Sequence, residues 1–232
     1  MLPFTSSSSS QISNPYPKPN RRKWAVQENQ TRELAAEQGS RVGDGVKKSS
    51  EDGKAFADDV AVDAEGNAYV TDVAGNKIWK VGPDGQLIST ITHPLFAPKQ
   101  WYQSLVGLNG IVYHPDGYLL VIHTFTGNLF KIRLPDAVSV GLVHVEGSLA
   151  FGDGMALLSP TQLVVAGSSP SARLMESSDG WETAKVVGSF KGPSHRLSTA
   201  ATVKDGKVYL SHMFGIGYPE KKHAIVEAVF SA

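Results

Sequence analysis

The chain has 232 residues, in which 22 Lys and Arg balance 22 Asp and Glu, so no long-range field draws it to nucleic acid or to an anionic membrane. It has no cysteine, which excludes disulfides, thiolate metal sites and a cysteine nucleophile. With no net charge a ligand has to be recognised by local chemistry, and no apolar run approaches the roughly 18 to 20 residues needed to cross a bilayer.

Residues 1–54 read as a disordered or transit-like leader. They hold the serine run Ser6 to Ser10, the proline-spaced Asn14-Pro15-Tyr16-Pro17-Lys18-Pro19 and Arg21-Arg22-Lys23, with no acidic residue before Glu28. A serine-rich, basic, acid-free start is the composition of an organellar (plastid) transit peptide, and it lacks the apolar centre of a secretory signal. It is equally the composition of a plain disordered tail. Gln27 to Gln38 reads as a short helix whose apolar stripe is only Leu34, Ala35 and Ala36.

From Ala55 to the C-terminus the pattern is short alternating apolar runs cut by Gly, Asp and Pro turns, which predicts strands. A unit then repeats. Its clearest copy runs from Asp58 to Asp72, through Asn76-Lys77-Ile78-Trp79-Lys80-Val81 to the turn Pro83-Asp84-Gly85; a second runs from Asn109 to His123 and on through Gly127 to Ile132. In both, a glycine (Gly66, Gly117) stands eight positions after the opening residue, where a hairpin needs a left-handed turn. A looser third copy opens at Asp153 and a fourth near Ser198 and Thr199, with turns at Ser159-Pro160 and Lys204-Asp205-Gly206. A period of about 45 residues predicts an all-β chain with four β-propeller blades over residues 55–232. A β-sandwich is the alternative that evenly spaced short strands allow.

The phrase Asp59-Val60-Ala61-Val62-Asp63-Ala64-Glu65-Gly66-Asn67-Ala68-Tyr69-Val70-Thr71-Asp72 resembles the core of an NHL-type repeat. Asn109-Gly110-Ile111 leading to Pro115-Asp116-Gly117, and Asp153-Gly154-Met155-Ala156, resemble stretches of the senescence-marker-protein/gluconolactonase-like propellers. The resemblance implies a six-bladed ring with a divalent ion, usually calcium, held at the top of the central channel by a first-blade glutamate, asparagines of middle blades and a later aspartate. It places Asn109 and Asp153 among the metal ligands, with Asp58 in the slot of another asparagine. Two departures stand out: four repeats where the family has six, and no glutamate in a strand context before Asp58. A partial or open propeller has exposed blade edges, through which the chain would self-associate.

The residues support the same placement directly. Asp58, Asn109 and Asp153 open three successive repeats, and a propeller points such positions at one axis although 51 and 44 residues separate them. A hard cation takes roughly six to eight oxygen ligands, of the kind these side chains offer. The alternative is that all three are turn formers bonding their own backbone. His123 and His212 end the second strands of their repeats, as Asp72 does, and read as a metal pair or as strand-end hydrogen-bonders. His195, on the loop entering the last repeat, is a candidate general base beside Asp153. No Gly-x-Ser-x-Gly elbow or phosphate-binding loop occurs, and Trp79, Trp101, Tyr102 and Trp181 read as blade-packing aromatics. The resemblance implies a calcium-dependent lactone or ester hydrolase, inactive if the missing glutamate is essential; the alternative is a non-catalytic NHL-like module that binds a protein or small ligand.

Overall fold

The turns show why this sequence forms hairpins. In the first, Gly66 sits at a φ of 85° and the Asp63 carboxylate gathers the backbone N–H groups of Glu65 and Asn67, each at 2.9 Å, with the Tyr69 hydroxyl donating to it at 3.1 Å. In the second, His114 does the same work, its Nδ1 accepting from the Asp116 amide at 3.1 Å, with Gly117 at 84°. In the last, Asp205 and Gly206 both take positive φ, the signature of a tight two-residue hairpin turn.

The computed structural model describes residues 55–134, 139–214 and 223–231. The leader, with its expected helix at Gln27 to Gln38, lies outside them. Four antiparallel sheets follow one another. Blade 1 is β1 (Ala57–Val62), β2 (Ala68–Asp72), β3 (Lys77–Val81) and β4 (Leu87–Ile91); blade 2 is β5 (Leu108–His114), β6 (Tyr118–His123), β7 (Asn128–Arg133) and β8 (Ser139–Leu142). Blade 3 is β10 (Gly152–Ser159), β11 (Gln162–Gly167), β12 (Ala172–Glu176) and β13 (Thr183–Phe190), with β9 (His144–Glu146) added in parallel to its outer edge. Blade 4 is β14 (Arg196–Lys204), β15 (Lys207–Phe214) and β16 (Ala224–Ala228).

The innermost strands pack in series, β1 on β5, β5 on β10 and β10 on β14, which is a propeller and not two facing sheets. Each pair of neighbouring blades closes on its own apolar cluster. Tyr69, Ile78, Phe96 and Phe130 sit between blades 1 and 2, Leu120, Ile122, Met175 and Trp181 between 2 and 3, and Val164, Ala172, Val208 and Leu210 between 3 and 4. Polar stitches reinforce these contacts. At the end of the blades where the inner strands begin, backbone bonds run from Val73 to Phe56, from Gly107 to Val73, from Thr124 to Gly107 and from Phe151 to Thr124, at 2.7 to 3.0 Å, so blades 1 to 3 share one ladder of amides. The tail pairs back on blade 3 through Ser231 and Ser189.

One expectation about packing is corrected. Trp79 and Trp181 are buried between strands, but Trp101 is 80% exposed and Tyr102 45%, because both lie on a short 3-10 turn that carries the chain over the top from β4 to β5. They pack no blade.

Candidate functional site

Each innermost strand opens with an irregularity at the same place. The register jumps between the pairs Ala57↔Asp72 and Val60↔Val70, between Leu108↔His123 and Ile111↔Val121, between Gly152↔Gly167 and Met155↔Val165, and between Ser198↔His212 and Ala200↔Ser211. These are β-bulges, which add a residue outside the ladder and re-aim its side chain. The residues inside them are Asp58 and Asp59, Asn109 and Gly110, Asp153 and Gly154, and Thr199.

All four bulges face one cavity of about 430 Å³, lined by Asp58, Asp59, Asn109, Asp153 and Thr199 with Gly154, Met155, Ala200, Ala201 and Met213. The structure therefore brings Asp58, Asn109 and Asp153 together, and it adds two polar residues the sequence reading passed over. Asp59 was legible only as the second half of an Asp-Asp doublet. Thr199 stands at the fourth repeat's opening but carries no charge to draw attention.

The two glycines explain how the bulges approach so closely. A Cβ on Gly110 would run into the Asp153 carbonyl oxygen, and one on Gly154 would lie 2.7 Å from the Thr199 carbonyl oxygen. Blades 1 and 2 are joined differently, since Asp59 accepts from the Ile111 amide at 3.2 Å and from its neighbour Val60 at 2.8 Å. Asp59 thus spends both oxygens on backbone and is a strut between blades, with Thr71 bonded to its main chain. We expect Gly110→Ala to push the Asp153 segment off the axis, lowering stability by about 1–3 kcal/mol and weakening any ligand bound at the cavity; urea titration with a ligand titration checks both.

The cavity is electrostatically frustrated. Burial raises Asp153 to about 7, with the charges of Asp58 and Asp59 adding to the rise and hydrogen bonds from Gly154 and Asn109 opposing it. Burial likewise raises Asp59 to about 6 against the pull of its two backbone donors, and it raises Asp58. No lysine, arginine or histidine is among the described residues lining the cavity. Asn109, 4% exposed, gives an amide hydrogen bond to Asp153 while its Oδ1 is buried without a partner. An orphaned amide oxygen beside crowded carboxylates is a donor set for a hard cation, which would relieve the repulsion and accept the lone pairs. Among the described residues no three His, Asp or Glu groups stand close enough together to hold an ion by themselves. An ion would therefore rest on Asp58, Asp153 and the Asn109 oxygen, with water or substrate oxygens completing its shell.

The histidines stand elsewhere. His195 is exposed at a φ of 61° and is not in the cavity wall. His123 is buried, held down to about 4 by desolvation, and its Nδ1 accepts from the Thr126 amide, closing the β6–β7 turn as Asp72 closes the β2–β3 turn through Ala74 and Gly75. His212 turns its Nδ1 to the Leu210 carbonyl. Through these Nδ1 contacts each shapes the end of its strand.

No protein-family model and no curated protein matches the chain. Solved structures do. Virginiamycin B lyase from Staphylococcus aureus aligns over 75% of this chain and 55% of its own at a TM-score of 0.50 and 15% identity. A gluconolactonase from Xanthomonas campestris aligns over 68% and 56% at 0.52 and 17%, and a protein from Lactobacillus plantarum over 75% and 57% at 0.53 and 18%. At such identities the likeness shows the propeller fold. The chain spans about half the length of these structures.

Proposed function

We propose that the chain is a calcium-dependent lactone or ester hydrolase of the propeller type, with Asp58, Asn109 and Asp153 holding the ion and Asp59 bracing them. The observation that carries this reading is the convergence of four repeat-equivalent bulges on one acidic cavity in which the Asn109 oxygen has no partner. When bound, a divalent ion supplies a Lewis acid for the substrate carbonyl and charge for the developing oxyanion. The protein's own share is to place the carbonyl at the Asn109 level of the cavity and exclude bulk water from its floor. Asp153, at the edge of the ion site, would orient the attacking water and accept its proton on the oxygen turned away from the ion.

Turnover of a lactone panel by the full chain tests the proposal, with Asp153→Asn expected to lower kcat at least a hundredfold while Asp205→Asn, in the distant β14–β15 turn, leaves it unchanged. Equal turnover in Asp153→Asn and the parent rejects it. The second reading, a binding module without catalysis, is favoured by the absence of a preassembled acidic trio among the described residues. It expects no turnover of any lactone, and ligand binding that survives chelation.

A further inference from the structure

Every chain segment that leads into a bulge holds a large apolar side chain out in solvent. Phe56 (61% exposed) precedes Asp58, Leu105 (64%) precedes Asn109, Phe151 (52%) precedes Asp153, and Leu197 (38%) precedes Thr199. Leu197 pairs across the ladder with Met213, which is itself in the cavity wall. The strand directions put all of them at one end of the blades: β1, β5, β10 and β14 start there, and β15 finishes there with Met213. The turn bearing exposed Trp101 crosses the same end.

Single exposed apolar residues need no explanation on a protein surface, but one on each of the four segments entering the bulges around a polar cavity, two residues ahead at Phe56, Phe151 and Leu197 and four ahead at Leu105, forms a collar. Folding does not require it, since the blades close on the separate clusters between them.

We infer that this collar grips an apolar arm of the substrate while the carbonyl head descends to the carboxylates, so that the substrate class is a lactone or ester bearing a long alkyl or aryl substituent. The inference rests on the hydrolase reading above. Within the cavity Asp58, Asp59, Asn109, Asp153 and Thr199 can meet a polar head, whereas Met155, Ala200, Ala201 and Met213 offer side-chain carbon and sulfur, against which hydroxyls along the arm would be desolvated. An apolar arm loses nothing there. A cavity of about 430 Å³ takes a small lactone ring and the first carbons of its arm, and the rest lies on the collar.

The test uses γ-lactams, which are not hydrolysed, with arms from methyl to octyl, titrated calorimetrically into the full chain in calcium buffer. A fully buried methylene is worth about fourfold in affinity and one lying on an open rim about twofold, so with the first two methylenes buried and the other five on the rim, affinity rises about five-hundredfold across the series. The exposed triple variant Phe56→Ser, Leu105→Ser, Phe151→Ser loses at least tenfold for the octyl lactam and nothing for the methyl one. Arm-dependent binding without turnover of any lactone upholds the collar and rejects the hydrolase. Turnover or binding that is flat with arm length overturns the collar and leaves the hydrolase standing. No lactam binding at any length overturns the collar, and so does a dimer that the triple variant dissociates, which would assign the rim to a second copy.

Discussion

In chelator, the melting temperature of the chain is expected to fall by about 6 °C between about pH 4 and pH 8, and calcium is expected to remove the slope. The folded-state values of Asp153, about 7, and Asp59, about 6, lie above the ordinary carboxylate value of 3.8. A group raised on folding contributes stability that is complete below its unfolded value and lost as the pH climbs through its folded value, so the loss spans this window. At full strength the Asp153 rise alone corresponds to about 4 kcal/mol. Its carboxylate is partly exposed, and discounting for solvent screening leaves about 2 kcal/mol, or roughly 4–8 °C for a domain of this size. Asp153→Asn should therefore melt higher than the parent at pH 8 in chelator and lose the response to calcium. A variant that is stabler without the ion and indifferent to it separates a strained binding site from an ordinary structural aspartate. A flat profile in chelator, or a calcium response that survives the substitution, would reject the account of the cavity.

The second large effect lies far from the cavity. Trp181→Ala is expected to cost about 3–5 kcal/mol and to lower the melting temperature by roughly 10 °C. The ring is 1% exposed in the cluster between blades 2 and 3, and its Nε1 donates to the Pro160 carbonyl at 2.9 Å. That carbonyl also meets His114 Nε2, from blade 2, at 2.8 Å, so one oxygen ties both blades to the β10–β11 turn. Trp101→Ala, by contrast, removes an exposed ring and should leave the melt within about 1 °C. Differential scanning calorimetry of the two variants side by side checks the contrast, and a comparable loss in both would refute the assignment of core and surface.

The all-β architecture was legible because period-two alternation and the turn residues Gly66, Gly117 and Gly206 are local signals, and because the unit recurs. The meeting of Asp58, Asn109 and Asp153 was also legible, since equivalent positions in a radial repeat share an axis whatever their separation along the chain. The exposure of Trp101 was not: an aromatic in a loop looks the same in sequence whether it turns in or out. Asp59 was hidden for a related reason, because its partner, the Ile111 amide, lies 52 residues away on another blade. His195 drew notice by chemistry alone, and no local pattern reports that its backbone turns left-handed outside the cavity.

The bulges have a consequence for how such a chain can change. The pairs that fix the sheets, Ala57 with Asp72, Leu108 with His123, Gly152 with Gly167 and Ser198 with His212, lie beside the bulge residues and not at them. A residue that the ladder does not count is free of its pairing rules. Asp, Asn, Asp and Thr occupy four copies of one slot, and exchanging one for another alters what the axis can hold without renegotiating how any blade is built. Heritable variation in chemistry is thereby uncoupled from variation in architecture, and the Thr199 slot is where a new ligand group could be installed at the least risk to the fold.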